Sequence, residues 1–346
     1  MSEYSIIIGK FSPIHNGHLE LIKKAFETSE NLIFLVGSAS NAISIETPWD
    51  FEQRRKMINA VMIDRFPNHL TKYVVAPIND YLYNRNKWIT NVQETVSAIT
   101  NKSQSISIIA SYDGKDSQYI KWLKWNVVSI PKSQVSSNEI RSFIYKKCVD
   151  WYKYVPVEVK DIIINELYRE DSPTYNEEKA NKLFDEFNFI TSYKKSWEIA
   201  PYPPTFVTAD AIVIQSGHVL VIERKMNPGK GLFAVPGGFV DQKEYVFDAA
   251  VRELYEETKI DVPSIIIEKS CIEEKMFDYP FRSLRGRTIT HAYLFKLDDH
   301  KPLPEIKGSD DALRAFWMPF SEFYKNESRF FDDHFHMIDY FIGRGE

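Results

Sequence analysis

The stretch from Gly238 to Ile260 reads GFVDQKEYVFDAAVRELYEETKI, and it decides the fold of the region around it. Glu256 and Glu257 follow Glu253 by three and four residues, so a helix would place all three carboxylates on one face. Carboxylates packed together repel one another unless a cation lies among them. Hard oxygen ligands suit Mg2+, with Mn2+ as an alternative, and such ions also bind substrate phosphates. The stretch therefore predicts a divalent-metal site.

The same stretch fits a longer pattern of spaced residues. It is similar to the Nudix box, which has Gly, five residues, Glu, seven residues, and then Arg-Glu-apolar-x-Glu-Glu-x-Gly-apolar. The matching residues are Gly238, Glu244, Arg252, Glu253, Leu254, Glu256, Glu257 and Ile260. Lys259 stands where the family has a Gly that helps to end the helix, so we expect a slightly altered helix exit. A solvated acidic helix face would not also carry the Gly-Gly turn and the Arg-Glu pair.

A second pattern lies near the N-terminus, where the predicted strand Tyr4–Gly9 leads into Lys-Phe-Ser-Pro-Ile-His-Asn-Gly-His and then a predicted helix. A helix N-terminus presents unpaired N–H groups and the positive end of the helix dipole, which favour phosphate. His15 and His18 flank Gly17, so the backbone can approach a phosphate while both imidazoles reach it. The segment predicts a phosphate-binding turn.

This turn resembles the His-x-Gly-His signature of the nucleotidyltransferase superfamily, whose fold is a Rossmann-like parallel α/β sheet. The superfamily's second signature, Ile-Ser-x-Thr-x-x-Arg, resembles Val135–Arg141, with Asn138 in place of Thr. The resemblance implies catalytic roles for Lys10, His15, His18 and Arg141. It implies substrate binding by Gly9, Phe11, Gly17, Ser136 and Asn138.

Three further segments resemble archaeal-type nicotinamide mononucleotide (NMN) adenylyltransferases. Residues 47–58 match that family's Asn-Pro-aromatic stretch and imply a substrate contact for Arg54. Residues 78–88 match its Asn-x-x-Trp element with a gap one residue shorter, which implies that Asn79 binds substrate and that Trp88 stacks on nicotinamide. A core aromatic remains the alternative for Trp88. Residues 115–119 resemble a run found in fusions to Nudix domains, implying roles for Lys115 and Asp116, although Tyr112 replaces the usual Gly.

Three arginines, Arg282, Arg285 and Arg287, precede the predicted strand Thr288–Lys296. The run resembles that of Nudix ADP-ribose pyrophosphatases, which implies that the cluster binds a pyrophosphate. The spacing leaves open which arginine touches the substrate, and an exposed basic loop is the alternative for each.

The order of the patterns predicts two α/β domains. Strands alternate with helices over residues 1–170, which predicts a Rossmann-like nucleotidyltransferase domain with a parallel sheet. Residues 171–200 are helical and polar and predict a linker. Residues 201–346 predict a Nudix domain, an α/β/α sandwich with a mixed sheet. A β-hairpin is expected around 216–218, and further strands are expected at 265–272 and 288–296.

Composition narrows the functional class. A net charge of −5 over 346 residues disfavours nucleic acid as a partner. No run is long enough to span a membrane, and no export signal is visible. The presence of only two cysteines fits a cytoplasmic protein. Together with the resemblances, these observations predict a bifunctional enzyme acting on ATP, NMN and ADP-ribose, with a homo-oligomer left open. The alternatives are transfer to another small substrate and a Nudix domain that senses a nucleotide without turnover.

Overall fold

In this computed structural model, the described residues are 2–103, 105–111, 122–131, 133 and 135–343. The chain divides into two compact units, residues 1–185 and 186–346. The domain boundaries at 170 and 200 remain a prediction. In the described part of the chain, no helix is both long and apolar enough to cross a membrane.

The N-terminal unit is built on a five-stranded parallel sheet. Its strands are β1 (Ser2–Gly9), β2 (Ser29–Val36), β3 (Tyr73–Pro77), β4 (Ile106–Ser111) and β5 (Asn126–Ile130). They lie in the order β3-β2-β1-β4-β5, which confirms the predicted Rossmann-like fold. The order reverses between β1 and β4, and ligands of such sheets bind beyond the carboxyl ends of the strands at this point.

Helices connect and follow these strands. They are α1 (Asn16–Thr28), α2 (Phe51–Arg65), α3 (Arg85–Thr100), α4 (Ser137–Tyr145), α5 (Val157–Leu167) and α6 (Glu177–Ser196), with 3-10 turns at Pro67–His69 and Val149–Lys153. Capping boxes fix the starts of α2 and α4, where Asp50 and Ser136 accept from backbone N–H groups one turn later. The strands β2 and β4 are buried along most of their length, and β1 is buried at its centre, as expected when helices cover both faces of a parallel sheet.

The C-terminal unit contains a seven-stranded mixed sheet. Its strands are β6 (Thr205–Gln215), β7 (His218–Arg224), β8 (Phe233–Ala234), β9 (Gly237–Phe239), β10 (Cys271–Phe277), β11 (Arg287–Lys296) and β12 (Ala312–Pro319). The main path runs β10-β11-β6-β7-β12, with β8 on β7 and β9 on β6. Only β6 and β11 run parallel, so the predicted mixed sheet is confirmed. The hairpin between β6 and β7 is also confirmed, and it turns through positive φ at Ser216 and Gly217.

The helices of this unit are α7 (Val246–Thr258), α8 (Ser264–Lys269), α9 (Phe320–Phe323) and α10 (His334–Ile342), with a 3-10 turn at Glu327–Arg329. The expected strand at 265–272 is wrong, because α8 occupies most of it and β10 begins only at Cys271. Pro263 starts the helix, and its carbonyl accepts from the N–H groups of Ile266 and Ile267. The run of isoleucines suggested a strand, whereas the proline before it decided the helix.

The last turn of α7 carries the departure from the Nudix pattern. Lys259 has φ 45° and ψ 36°, the left-handed conformation that Gly adopts most easily. Its N–H still bonds to the carbonyl of Tyr255 at 3.0 Å. The helix therefore ends in the geometry that a Gly would give, and the lysine bears the steric cost.

We expect Lys259→Gly to raise the free energy of unfolding of the C-terminal unit by about 1 kcal/mol, because it removes the Cβ strain of the left-handed conformation. Urea unfolding of the full chain measures this. The matched control is Lys146→Gly, since Lys146 also caps a helix C-terminus but has φ −77°. Stabilisation by both substitutions, or by neither, would contradict the argument.

Candidate active sites

The histidines of the first phosphate turn are linked to each other through the backbone. Nδ1 of His15 accepts from the N–H of Gly17 at 3.1 Å, and Nδ1 of His18 accepts from the N–H of His15 at 3.1 Å. Together these bonds form the capping box of α1. Because both Nδ1 atoms are acceptors, a neutral ring at either position carries its proton on Nε2.

Burial keeps both rings uncharged. It lowers the pKa of His15 to about 4, and burial, with a further contribution from His15, lowers the pKa of His18 well below its usual value. The ring centroids are only 4.0 Å apart, so two imidazolium charges would also repel each other. At neutral pH the turn thus offers two uncharged Nε2–H donors.

Arg54 holds together the loops that follow β1 and β2. Its side chain is 1% exposed, and it donates to the carbonyls of Lys10 at 3.0 Å, Gly37 at 2.7 Å and Ser38 at 2.9 Å. Burial lowers its pKa to about 10, which still leaves it charged at neutral pH. The predicted substrate contact remains a prediction, and the contacts in the structure are to the main chain.

The structure brings the two nucleotidyltransferase signatures together. The buried Arg141 donates through Nη1 to the carbonyl of Ser12, in the first signature, and through Nη2 to Oδ1 of Asn138. Its Nε donates to the carbonyl of Ile45 at 3.1 Å. Ser136 accepts from the N–H of Glu139 and so starts α4 at this point. Asn138, which stands at the family's Thr position, thus contacts the arginine of the same signature.

Other predicted residues surround this turn. Lys10 is half-exposed, with Nζ 3.9 Å from Glu46. Phe11 has φ 49° and places its ring 4.9 Å from that of His18. Gly9 accepts at its carbonyl from the N–H of Gly37. A Cβ on Gly17 would lie 2.6 Å from Cβ of Ser133. The position therefore needs a glycine because of this neighbouring side chain, independently of any bound phosphate. The predicted residues Lys115 and Asp116 lie outside the described residues.

Asn79 lies just beyond the end of β3, and Trp88 lies near the start of α3. Oδ1 of Asn79 accepts from Ser40 at 2.8 Å. Trp88 is partly buried against the core between β1, β4 and α3, and its ring meets that of Trp122 edge to face at 6.2 Å. Both interpretations of Trp88, as core and as stacking platform, are compatible with a partly buried ring.

In the C-terminal unit, Arg252 gathers three glutamates of the Nudix-like stretch. Its Nε and Nη2 bind the two oxygens of Glu244 at 2.8 and 3.0 Å. Its Nη1 binds Glu253 at 2.8 Å and Glu256 at 2.9 Å. A bidentate guanidinium pair is strong and directional, so Arg252 orients these carboxylates on the face of α7.

Glu257 is held differently. It is 3% exposed, and Oε2 accepts from the N–H of Gly237 at 3.0 Å. Burial raises its pKa to about 8 and also raises the pKa of Glu253. A Cβ on Gly238 would lie 2.2 Å from Oε1 of Glu253. The glycine pair therefore leaves room for carboxylates that approach the loop closely.

The donor set fits a hard divalent cation. Within the described residues, no group of three or more histidine, cysteine, aspartate or glutamate side chains has metal-binding geometry. Burial raises the pKa values of Glu253 and Glu257 and so disfavours their ionised forms. A divalent ion among these oxygens would favour their ionised forms.

The three clustered arginines have different surroundings. Arg282 is buried and forms a two-bond ion pair with Asp333, at 2.9 and 2.8 Å. Arg285 lies over the ring of Phe239, 4.9 Å from its centroid. Arg287 is partly exposed and donates to the carbonyl of Asp278 at 2.6 Å. Their predicted substrate contacts remain predictions.

Sequence reasoning missed several buried polar residues of this unit. Asp210 accepts from the hydroxyl of Thr290, and burial raises its pKa to about 6. Its position inside the apolar run of β6 was a usable indication. Nδ1 of His334 accepts from the N–H of Val235 at 3.3 Å, and burial lowers its pKa to about 3. Nothing local in the sequence indicates this contact, because the residues are far apart in the chain.

Two family models match separate parts of the chain. The model described as NUDIX domain matches residues 204–341, and the model described as cytidylyltransferase-like matches residues 6–143. A crystal structure of a bifunctional NMN adenylyltransferase/ADP ribose pyrophosphatase from Francisella tularensis, complexed with AMP and a Mn ion, is 32% identical. The match has a TM-score of 0.91 and covers 99% of both chains. The chain belongs to this bifunctional family.

Single-activity relatives match one part of this chain or the other. A nicotinamide/nicotinic acid mononucleotide adenylyltransferase from Acinetobacter baylyi is 29% identical over 149 residues, covering 42% of this chain and 76% of that protein. An ADP-ribose pyrophosphatase from Methanocaldococcus jannaschii is 38% identical over 109 residues, covering 32% of this chain and 59% of that protein.

Because Arg282 and Asp333 are buried as a pair, removing one partner leaves an uncompensated charge. We expect Arg282→Met to lower the free energy of unfolding by about 3 kcal/mol or more, measured by urea unfolding. Adding Asp333→Leu should recover part of the loss. Arg287→Met, the partly exposed control, should cost less than about 0.5 kcal/mol. Equal losses from Arg282→Met and Arg287→Met would refute the pairing.

Proposed function

We propose that the chain is a bifunctional enzyme of NAD metabolism. In the N-terminal unit, NMN and ATP give NAD and pyrophosphate. In the C-terminal unit, ADP-ribose is hydrolysed to AMP and ribose 5-phosphate with a divalent metal, Mg2+ or Mn2+. The observation that carries the proposal is the full-length likeness to a bifunctional relative in a chain that retains both the His15–His18 turn and the glutamates around Arg252.

For adenylyl transfer, a phosphate oxygen of NMN attacks the α-phosphorus of ATP, and the bond to the bridging oxygen of the leaving pyrophosphate breaks. Such a transfer needs positioning and charge stabilisation rather than a protein nucleophile. The Nε2–H groups of His15 and His18 donate to phosphate oxygens, and Lys10 and Arg141 supply positive charge. Arg54 keeps the loop that carries these groups in place.

For hydrolysis, water attacks a phosphorus of ADP-ribose, and the bond from that phosphorus to the bridging oxygen breaks. Glu253, Glu256 and Glu257 would hold the metal, which when bound neutralises phosphate charge and activates water. Arg252 orients Glu253 and Glu256, and the N–H of Gly237 orients Glu257. The chain's own contribution is to hold the carboxylates in place before the substrate arrives.

Two alternatives have specific consequences. A sensor would bind ADP-ribose without cleaving it, whereas the retained carboxylates favour turnover. A transferase for another phosphorylated substrate would reject NMN, whereas Trp88 and the likeness to adenylyltransferases favour it. Incubation of the protein with ADP-ribose and Mg2+ tests the first case. Incubation with ATP, Mg2+ and either nicotinamide or nicotinate mononucleotide tests the second, and product chromatography reads out both. We also propose a cytoplasmic location, supported by the free cysteines Cys148 and Cys271.

We expect the two activities to be separable by substitution. His18→Ala should lower NAD synthesis by about a hundredfold, the usual effect of losing one transition-state donor, and leave hydrolysis unchanged. Glu256→Gln should do the reverse, because it removes a metal-binding charge and keeps the shape of the side chain. Steady-state rates of both reactions are measured for each variant.

The matched controls are His300→Ala and Glu268→Gln, since both residues are exposed and belong to neither set. They should leave both rates near the parent values. A His18→Ala variant with more than half of the parental synthesis would remove this residue from the catalytic set. Loss of both activities from either single change would contradict separate sites.

Trp88→Ala should raise the KM for NMN by roughly tenfold or more and change the KM for ATP little, since stacking on a base contributes about 1–3 kcal/mol. Trp88→Phe retains an aromatic face and should recover most of the affinity. Initial-rate kinetics with each substrate varied in turn measure this. If both KM values rise together, or if Phe fails to rescue, the ring serves the core and not the substrate.

A further inference from the structure

The strand β10 forms one edge of the sheet in the C-terminal unit. It pairs with β11 on one side, and within the described residues no strand pairs with its other side. An open edge presents N–H and C=O groups that can pair with another chain, and natural proteins usually blunt such edges. The bulge in β10 lies between Cys271 and Glu273, so Glu273–Phe277 remains regular and able to pair.

The side chains along this edge follow a symmetrical order. Ile272 is 59% exposed and Met276 is 48% exposed, and the three residues between them are Glu273, Glu274 and Lys275. Nζ of Lys275 lies 5.5 Å from the ring of Tyr340, and Glu274 is hydrogen-bonded to His291 across the β10–β11 ladder. The apolar residues thus lie at the ends, and opposite charges lie on either side of Glu274.

We propose that β10 pairs antiparallel with β10 of a second copy of this chain, about a two-fold axis at Glu274. Residues directly opposite each other in an antiparallel pair point to the same face of the sheet. A two-fold axis perpendicular to the sheet leaves each side chain on its own face. Because side chains alternate between the two faces along a strand, opposite residues must be an even number of positions apart, so the axis passes through a residue and not between two residues. Centred on Glu274, the pairing sets Glu273 against Lys275 twice, and Ile272, at the bulge, lies beyond the paired stretch.

Neighbouring registers are worse. An axis at Glu273 sets the two Glu273 carboxylates against each other. An axis at Lys275 brings the two lysines together and sets Met276 against Glu274. Since like charges directly opposite destabilise a pair and opposite charges stabilise it, the sequence of β10 selects the register centred on Glu274.

The selected register still brings two Glu274 side chains together at the axis. Each Oε1 lies 2.8 Å from Nδ1 of its own His291, so the carboxylate is directed back along its own sheet. The contact is isologous and closes at two copies. One short strand buries little area, so we expect a weak dimer with a dissociation constant on the order of 10 μM.

Sedimentation velocity of the full-length protein, from about 1 to 100 μM, tests the proposal. The parent should dimerise reversibly. Lys275→Glu places a glutamate opposite Glu273 at both symmetry-related positions, and this repulsion should raise the dissociation constant at least about tenfold. Glu273→Lys combined with Lys275→Glu restores opposite charges in reversed order and should return the constant to within about threefold of the parent. Lys301→Glu, an equal charge change on an exposed residue outside β10, should have no effect.

A further variant tests the axis itself. Glu274→Gln removes the central repulsion and should tighten the dimer. A parent protein that stays monomeric throughout the concentration range overturns the proposal. This holds also if a different partner covers the edge of β10 in the cell. The proposal is also overturned by a dimer that tolerates Lys275→Glu, or by a charge reversal that fails to restore pairing. Thermal melts by circular dichroism show whether a variant is folded, and the tightening expected of Glu274→Gln does not depend on Lys275→Glu folding.

Discussion

A guanidinium that must find acceptors, fully buried at Arg54 and partly buried at Arg252, is the constraint on which both candidate sites depend. Burial is costly for a charged group unless its donors are matched, and an arginine cannot escape by losing its proton at neutral pH. Arg54 meets the requirement with main-chain carbonyls from the loops after β1 and β2. Arg252 meets it with three glutamates. Because these acceptors come from separate segments, satisfying one side chain fixes the positions of several loops or carboxylates at once.

The two sites present opposite electrostatics to a phosphate. In the N-terminal unit, burial keeps His15 and His18 neutral, so the turn offers donors without fixed positive charge. Such donors reward charge that develops during transfer more than they reward tight binding of a charged ground state. In the C-terminal unit, burial raises the pKa values of Glu253 and Glu257. A divalent ion among these carboxylates would supply the positive charge that the site lacks, and the substrate's pyrophosphate would bind to that ion.

Local patterns predicted most of the fold, because the elements they mark are decided by local physics. The predicted strand Thr288–Lys296 lies within β11, and the hairpin expected around 216–218 joins β6 to β7. The strand predicted from the isoleucine run after Pro263 was wrong, because strand propensity depends on neighbouring strands that a single segment does not reveal. Lys259 shows the converse case. Its side chain departs from the family pattern, yet the hydrogen bonding of the helix end imposes the left-handed backbone that the pattern implies.

Long-range pairing limited the prediction of the sites. Arg282 and Asp333 are 51 residues apart, and spacing alone could not separate this buried pair from the exposed Arg287. The Gly-Gly turn before α7 was identified from the sequence only as part of the Nudix-like pattern, and the structure shows that its glycines admit carboxylates. A Cβ on Gly238 would collide with Glu253, and a Cβ on Gly237 would lie 2.2 Å from Oδ1 of Asp210. Any residue larger than Gly would displace Glu253 or Asp210, so the turn and the helix face act as one unit.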